Sequence, residues 1–377
     1  MQDKLSIYVH LPFCVRKCLY CDFVSGVGNE NTMGSYVNKL LDEIDSFIGD
    51  KDEKLKVDTI FFGGGTPSVL PAFMIDKILC KLKSVFAVDE DGEISIEVNP
   101  GTSDKEKLDA YRKMGINRLS IGLQSTWDEE LRTLGRIHTY KEFLEVYKWA
   151  REAGFTNINV DLMSALPGQS KESYEETLMR VTALGPEHIS AYSLIVEEGT
   201  PFGEMELNLP DEDTEREMYE MTRDILADAG YVRYEISNYA KAGYECRHNV
   251  GYWTGKEYLG FGVAAASYFQ GKRWKNQDNR DAYLIKGAQR EEEIVLSLED
   301  KMSEFMFLGL RMSKGVSAKR FYEGFGKTPD SVFGEAIERH IKNGLLKEEG
   351  DALFLTSKGT DLANYVMSDF ILDENNR

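Results

Sequence analysis

Six strand-like runs alternate with helical runs between residues 6 and 194, and this alternation constrains the fold most strongly. The predicted strands cover residues 6–9, 57–62, 94–98, 119–123, 158–163 and 189–194. Apolar residues at helical spacing predict the intervening helices near 34–48, 72–86, 104–114, 128–153 and 171–184. Such alternation is typical of a parallel βα sheet or barrel, and six units would leave a barrel incomplete.

Three closely spaced cysteines, Cys14, Cys18 and Cys21, follow the first predicted strand. Their spacing allows three thiolates to lie on one side of a tight loop, as in a metal or iron–sulfur site. A [4Fe–4S] cluster normally takes four ligands. Three nearby thiolates would therefore leave one iron open to a small molecule.

Zinc is the main alternative for this loop, because His10 could complete a tetrahedral set with the three cysteines. Structural zinc sites usually have two short pairs of ligands separated by a longer arm, and the sequence has no second pair. Five cysteines in a long chain also fit a disulfide framework poorly. An iron–sulfur site is therefore the favoured interpretation.

Small and polar residues follow the predicted strands, at the ends where βα barrels place their active sites. A glycine run at 63–65 follows the second strand, Glu97 ends the third, Gln124 follows the fourth and Asp161 lies in the fifth. Burying polar groups there lowers stability unless a ligand compensates. We therefore predict a binding site at this end of the sheet, although a glycine run could also be a simple turn.

Composition limits the classes of partner. The formal net charge of -19 argues against nucleic acid, whose phosphates need a basic surface. No apolar run is long enough to span a bilayer, so we expect no integral membrane segment. Residues 1–4 lead directly into the first strand without a signal peptide, and we expect a cytoplasmic protein.

The sequence pattern changes after about residue 210. We expect a barrel over 1–210, a connecting segment over 211–290 and a C-terminal domain over 291–377. In the connecting segment, Met218 and Met221 are predicted core residues. For the glycine-containing run 260–265, close packing of the backbone against a flat ligand or against the barrel is favoured over dinucleotide binding. The helices and hairpin predicted for the last part resemble a winged-helix module, but its acidic excess disfavours DNA binding.

The cysteine spacing, Tyr20 before the third cysteine and the sequence GGGTP at 63–67 resemble the radical S-adenosylmethionine (SAM) enzymes. The resemblance implies an open (β/α)6 barrel in which Cys14, Cys18 and Cys21 bind a [4Fe–4S] cluster and SAM chelates the open iron. By position, it also implies a SAM pocket formed by Tyr8, Gly64, Gly65, Thr66, Glu97, Gln124, Arg136 and Asp161.

Within this superfamily the chain is most similar to the HemW haem chaperones, relatives of the oxygen-independent coproporphyrinogen III oxidases called HemN. Phe23 stands where the oxidases have a further cysteine, their N-terminal extension is missing, and residues 248–253 match the motif HNxxYW. The oxidases bind a second SAM molecule, for which the corresponding residues would be Tyr20, Gln124, Arg136 and Asp161.

The resemblance to the chaperones implies a haem site at His248, Asn249, Tyr252 and Trp253, and haemoproteins as partners. His248 is chemically able to be an axial haem ligand, and the two aromatic residues could stack on the porphyrin; a histidine satisfied within its own loop is the alternative. We expect a haem chaperone, with oxidative decarboxylation of coproporphyrinogen III to protoporphyrinogen IX as the alternative function. SAM cleavage and a homodimer are left open.

Overall fold

The structure, a computed structural model, describes residues 4–47 and 54–372. Its first part consists of β1 (Leu5–Leu11), α1 (Glu30–Ser46), β2 (Lys56–Gly64), α2 (Ala72–Val85), β3 (Ala87–Val98), α3 (Lys105–Met114), β4 (Arg118–Gln124), α4 (Asp128–Thr133), α5 (Tyr140–Glu152), β5 (Ile158–Ser164), α6 (Lys171–Leu184) and β6 (His188–Ser193). β1 to β6 pair in parallel in chain order. β1 and β6 do not pair with each other, which confirms the predicted incomplete (β/α)6 barrel.

The predicted helices of this barrel agree with the observed ones except at a few ends. α1 begins at Glu30, earlier than predicted, because the side chain of Asn29 caps it by accepting the N–H of Thr32 at 2.9 Å. The predicted end of this helix, Ile48, lies outside the described residues. Residues 1–3, the first of the predicted barrel, also lie outside them. The barrel helices bury their apolar faces against the strands in one continuous core.

The connecting segment extends the sheet at both edges. It contains α7 (Glu212–Asp228), β7 (Val232–Arg233), β8 (Asn238–Ala240), α8 (Arg247–Trp253), β9 (Tyr258–Phe261), β10 (Ala266–Phe269), β11 (Lys272–Asn276) and α9 (Arg280–Lys286). The last strand of the sheet, β12 (Arg290–Val295), runs past the boundary expected at residue 290. β8 pairs antiparallel with β6, and β9 pairs parallel with β1. The strand order is therefore β12-β11-β10-β9-β1-β2-β3-β4-β5-β6-β8-β7.

The residues of this segment belong to the barrel core rather than to a core of their own. Met218 is fully buried in that core and Met221 packs against it, as predicted. The glycine-containing run lies in β9 and the turn after it, and a Cβ on Gly262 would lie 2.6 Å from the carbonyl oxygen of His10. The prediction of close backbone packing at 260–265 is confirmed.

The C-terminal part forms a second hydrophobic cluster, from Met302 to Phe370. It contains α10 (Leu298–Gly309), β13 (Val316–Ser317), α11 (Ala318–Phe325), α12 (Pro329–Lys342), β14 (Leu346–Glu349), β15 (Ala352–Leu355), α13 (Ser357–Asp361) and α14 (Ala363–Ser368). β13, β15 and β14 form a small sheet in that order. No helix within the described ranges is both long and apolar enough to cross a membrane.

We expect Gly260→Ala to destabilise the junction between β9 and β10. A Cβ at this position would lie 2.2 Å from the backbone oxygen of Ala266, so the strands would have to move apart. Overpacking of this kind costs about 1–3 kcal/mol, which urea denaturation would measure. Gly324→Ala is the control, because nothing lies within 4 Å of its added Cβ in α11; equal unfolding free energies of the two variants would contradict the prediction.

Candidate functional site

The cysteine loop is joined to the end of β2 by backbone hydrogen bonds. Gly65 donates its N–H to the carbonyl of Leu11 at 2.9 Å, and Thr66 donates to the carbonyl of Phe13 at 2.8 Å. The Thr66 hydroxyl also lies 3.5 Å from the Sγ of Cys14. The loops after the first two strands therefore form one unit that carries the first cysteine.

Gly64 and Gly65 are needed for this close approach. Gly64 has a left-handed φ of 111°, and a Cβ there would lie 2.7 Å from the His10 ring. A Cβ on Gly65 would lie 2.8 Å from the backbone of Phe13. The glycine run thus packs against the cysteine loop and is more than a simple turn.

Cys14, Cys18 and Cys21 are free thiols that line one cavity of about 380 Å³. Cys14 is buried and the other two are partly buried. Arg136 donates to the Sγ of Cys18 at 3.5 Å. Burial raises the pKa of Cys21 to about 11, so this thiol is protonated at neutral pH.

The donor set fits a cluster better than a single ion. Within residues 4–47 and 54–372, no group of three or more His, Cys, Asp or Glu side chains is arranged to hold one metal ion. His10, which the zinc alternative requires, contacts the carbonyl of Val24 at 2.9 Å and the hydroxyl of Tyr8 at 3.1 Å through its two ring nitrogens. Zinc would need all its donors about 2.0–2.3 Å from one point, whereas in a [4Fe–4S] cluster separate thiolates bind separate irons.

The same cavity brings together most of the residues expected for SAM. Besides the three cysteines, its wall includes Tyr20, Gly64, Gly65, Thr66, Glu97, Gln124, Arg136 and Asp161. Tyr20 lies in the loop after β1 and Arg136 follows α4, whereas the others lie on β2 to β5 or directly after β2, where a βα barrel places its site. Tyr8 lines the neighbouring cavity instead.

Two buried carboxyl groups, those of Glu97 and Asp161, line this cavity. Burial, followed by the nearby charge of Asp161, raises the pKa of Glu97 to about 8, although the N–H of Gly64 opposes the shift. Burial also raises the pKa of Asp161, whose oxygens accept from Asn159 at 2.7 Å and Ser120 at 3.3 Å. At neutral pH Glu97 therefore holds a proton that a bound cation would displace.

Arg136 and Gln124 also line the cavity that contains the three cysteines. Arg136 donates to the carbonyl of Gly122 at 2.6 Å while it contacts Cys18. Gln124 has a φ of 75°, a strained conformation for a residue with a side chain, and it accepts from the hydroxyl of Tyr192 at 3.2 Å. Sequence reasoning missed Tyr192, although its position on the sixth predicted strand would have allowed it to be found.

A second cavity, of about 720 Å³, adjoins the first. The residues that line both cavities are Asp22, Phe23, Glu97, Ser120, Asp161 and Tyr192. His248, Asn249 and Tyr252 of the HNxxYW motif line the larger cavity, together with Tyr8. Three residues of the motif therefore face the larger cavity, and the cysteines face the smaller one that adjoins it.

His248 is held firmly inside the protein. It is 1% exposed, and its ring nitrogens lie 3.0 Å from the hydroxyl of Thr59 and 2.9 Å from that of Tyr252. Burial, followed by the charges of Lys256 and Arg118, lowers its pKa to about 3. In this conformation neither nitrogen is free for iron, and ligation through Nε2 requires the Tyr252 hydroxyl to move.

Trp253 lies on a different side of α8 from His248. It lines a separate cavity of about 370 Å³ with Phe307 and Leu308 of α10, and the guanidinium of Arg311 lies 4.3 Å from its ring centroid. Tyr252 borders both this cavity and the larger one. The structure therefore does not bring the predicted haem residues together in a single cavity.

Known proteins share both parts of this architecture. Residues 8–181 match the family model of the radical SAM superfamily, and residues 296–362 match that of the HemN C-terminal domain. The heme chaperone HemW of Lactococcus lactis subsp. lactis (strain IL1403) is 37% identical, with 100% of each chain covered. That of Escherichia coli (strain K12) is 34% identical, with 98% of each chain covered.

A solved structure, that of coproporphyrinogen III oxidase (HemN) from Escherichia coli, matches with a TM-score of 0.86 and 25% identity, covering 98% of this chain and 90% of that one. The barrel and the cysteine-lined cavity, together with these matches, define a radical SAM protein with a HemN-like C-terminal domain. Within that superfamily, the chain belongs to the HemW family.

We expect His248 to make the protein less stable in acid. Its folded pKa of about 3 lies below the usual value of 6.5, so between these values the unfolded state binds one more proton and stability falls as pH falls. His248→Gln should reduce the slope of unfolding free energy against pH by about 1.4 kcal/mol per pH unit near pH 5.

Chemical denaturation between about pH 4 and pH 6 measures this slope. Thr59→Val is the matched control, because it removes a hydrogen-bond partner of the ring but keeps the histidine. It should lower stability without removing the slope. A slope that is the same in wild type and His248→Gln would show that the ring takes up its proton in the folded state.

Proposed function

We propose that this protein binds haem and passes it to haemoproteins, and that it holds a [4Fe–4S] cluster and SAM beside the haem cavity. The observation that carries the proposal is the pair of adjoining cavities, whose shared wall includes Glu97, Asp161 and Tyr192. The smaller faces three free cysteines, and the larger faces three residues of the HNxxYW motif. Relatives that carry the name heme chaperone HemW support the same function.

In this proposal Cys14, Cys18 and Cys21 hold the cluster. When bound, the cluster would supply an iron with an open position for the amino and carboxylate groups of SAM, and an electron for its cleavage. The protonated Glu97 would lose its proton to pair with a cationic ligand, and Asp161 would add a second acidic group. Arg136 would stabilise a cysteine thiolate through its contact with Cys18.

The larger cavity is proposed to take haem, and His248 to be its axial ligand. Movement of the Tyr252 hydroxyl would free Nε2 of His248, while the Thr59 hydroxyl would keep the ring oriented through Nδ1. A ligating histidine usually has its other nitrogen held in this way. Tyr252 would thus have two positions, one that covers the ligand and one that exposes it.

A cytoplasmic location is part of the proposal. All five cysteines are free thiols, and three of them line the smaller cavity. Thiols that are kept reduced suit a reducing compartment, as does a site for an oxygen-sensitive cluster.

The oxidase function is the second candidate, favoured by the high structural similarity to coproporphyrinogen III oxidase. Phe23 stands in this chain where the oxidases have a further cysteine, and its side chain lines both cavities while 63% of it is exposed. An apolar ring cannot replace a thiolate in metal binding or redox chemistry. The chaperone function is therefore the primary proposal.

Haem titration of the reconstituted protein, followed by absorption spectroscopy, tests this function. We expect saturable binding by wild type, and His248→Gln should weaken it by about tenfold or more, since loss of an iron ligand exceeds 1.4 kcal/mol. Tyr252→Phe should bind haem at least as well as wild type, because Nε2 of His248 loses its competing partner.

Three outcomes would contradict the proposal in different ways. Unchanged binding by His248→Gln would show that this residue is structural and that haem is held elsewhere. Failure of wild type to bind haem would remove the chaperone function. Formation of protoporphyrinogen from coproporphyrinogen III by wild type, under anaerobic conditions with SAM and a reductant, would favour the oxidase function instead.

A further inference from the structure

We infer that Arg118 forms a carboxylate-binding subsite at the inner end of the larger cavity. Arg118 is the first residue of β4, at the opposite end of that strand from Gln124. It lines the larger cavity, yet only 2% of it is exposed. Its Nε has no hydrogen-bond partner, and in the part of the chain that the structure describes the Arg118 side chain has no ion pair within 4.0 Å and donates no hydrogen bond.

Nearby carboxylates do not satisfy this guanidinium. Glu93 and Asp161 act on Arg118 through their charges, but not through hydrogen bonds. Glu93 instead accepts the first two backbone N–H groups of α8, at 3.0 and 3.2 Å. Asp161 accepts from Asn159 at 2.7 Å. Both carboxylates are therefore held by other donors, and the donors of Arg118 are left for something in the cavity.

The chemistry of the group identifies what it would bind. A buried guanidinium without acceptors is costly, because its N–H groups lose water and gain no partner. Its planar fork matches the two oxygens of a carboxylate. Lys275 lines the same cavity and adds a second positive charge. The part of a ligand that reaches Arg118 should therefore carry a carboxylate group.

Haem has this chemistry, because its two propionate side chains end in carboxylates. This inference rests on the proposed haem function and deepens it. In the arrangement we infer, a propionate enters first and pairs with Arg118, which is a positioning contact and not an iron ligand. The porphyrin then occupies the cavity toward His248 and Tyr252, which line its wall.

The test compares haem with its dimethyl ester, in which both propionates have lost their charge. Each is titrated into reconstituted wild type, Arg118→Met and Arg118→Lys. Wild type should bind haem about tenfold or more tightly than the ester, as expected for a charge-assisted bidentate contact. Arg118→Met should bind haem and ester about equally, and Arg118→Lys should show an intermediate ratio.

Arg132→Met is the matched control, because Arg132 is a largely exposed arginine on α4. It should keep the wild-type ratio of haem to ester affinity. A ratio that is unchanged in Arg118→Met would overturn the subsite while the haem function stands. Absence of haem binding by wild type would overturn the haem function and, with it, this inference. If Arg118→Met does not fold, an unchanged ratio in Arg118→Lys would overturn the subsite equally.

Discussion

The contact between the end of β2 and the cysteine loop is the interaction on which the site depends. Gly65 and Thr66 donate their backbone N–H groups to the carbonyls of Leu11 and Phe13. A side chain on Gly64 or Gly65 would prevent this close approach. As a result, the cysteine loop, which has little regular structure of its own, is fixed to the C-terminal end of a strand in the parallel sheet. The cysteines then lie beside the acidic pair at the strand ends instead of in open solvent.

The helix α8 is the second structural element on which the site depends. The helix α8, which carries the HNxxYW motif, is fixed at its N-terminus by the buried carboxylate of Glu93 on β3. This contact directs His248 and Asn249 into the barrel, whereas Trp253 lies on the side of the C-terminal domain. One short helix thus borders both the large cavity and the interface between the two hydrophobic cores.

Local sequence signals predicted the barrel, the cysteine loop and the polar residues at the ends of the strands, and the resemblance to the radical SAM enzymes supplied the other predicted residues of the smaller cavity. The helical period predicted α6, whose bounds at 171–184 agree with the prediction, and the alternation of strands and helices predicted the parallel sheet. Local sequence signals could not predict contacts between residues that lie far apart in the sequence. α8 depends on a carboxylate 154 positions earlier, and the nitrogen of His248 is satisfied by Thr59, 189 positions away. No local pattern shows either contact.

The central claim is that three thiolates leave one iron open to SAM at the wall shared with Glu97 and Asp161. The most direct measurement is the electron paramagnetic resonance spectrum of the reduced, reconstituted protein with and without SAM. We predict the signal of one [4Fe–4S] cluster, with g values that shift when SAM binds the open iron. A cluster signal that saturating SAM leaves unchanged, or no cluster signal, would contradict the account.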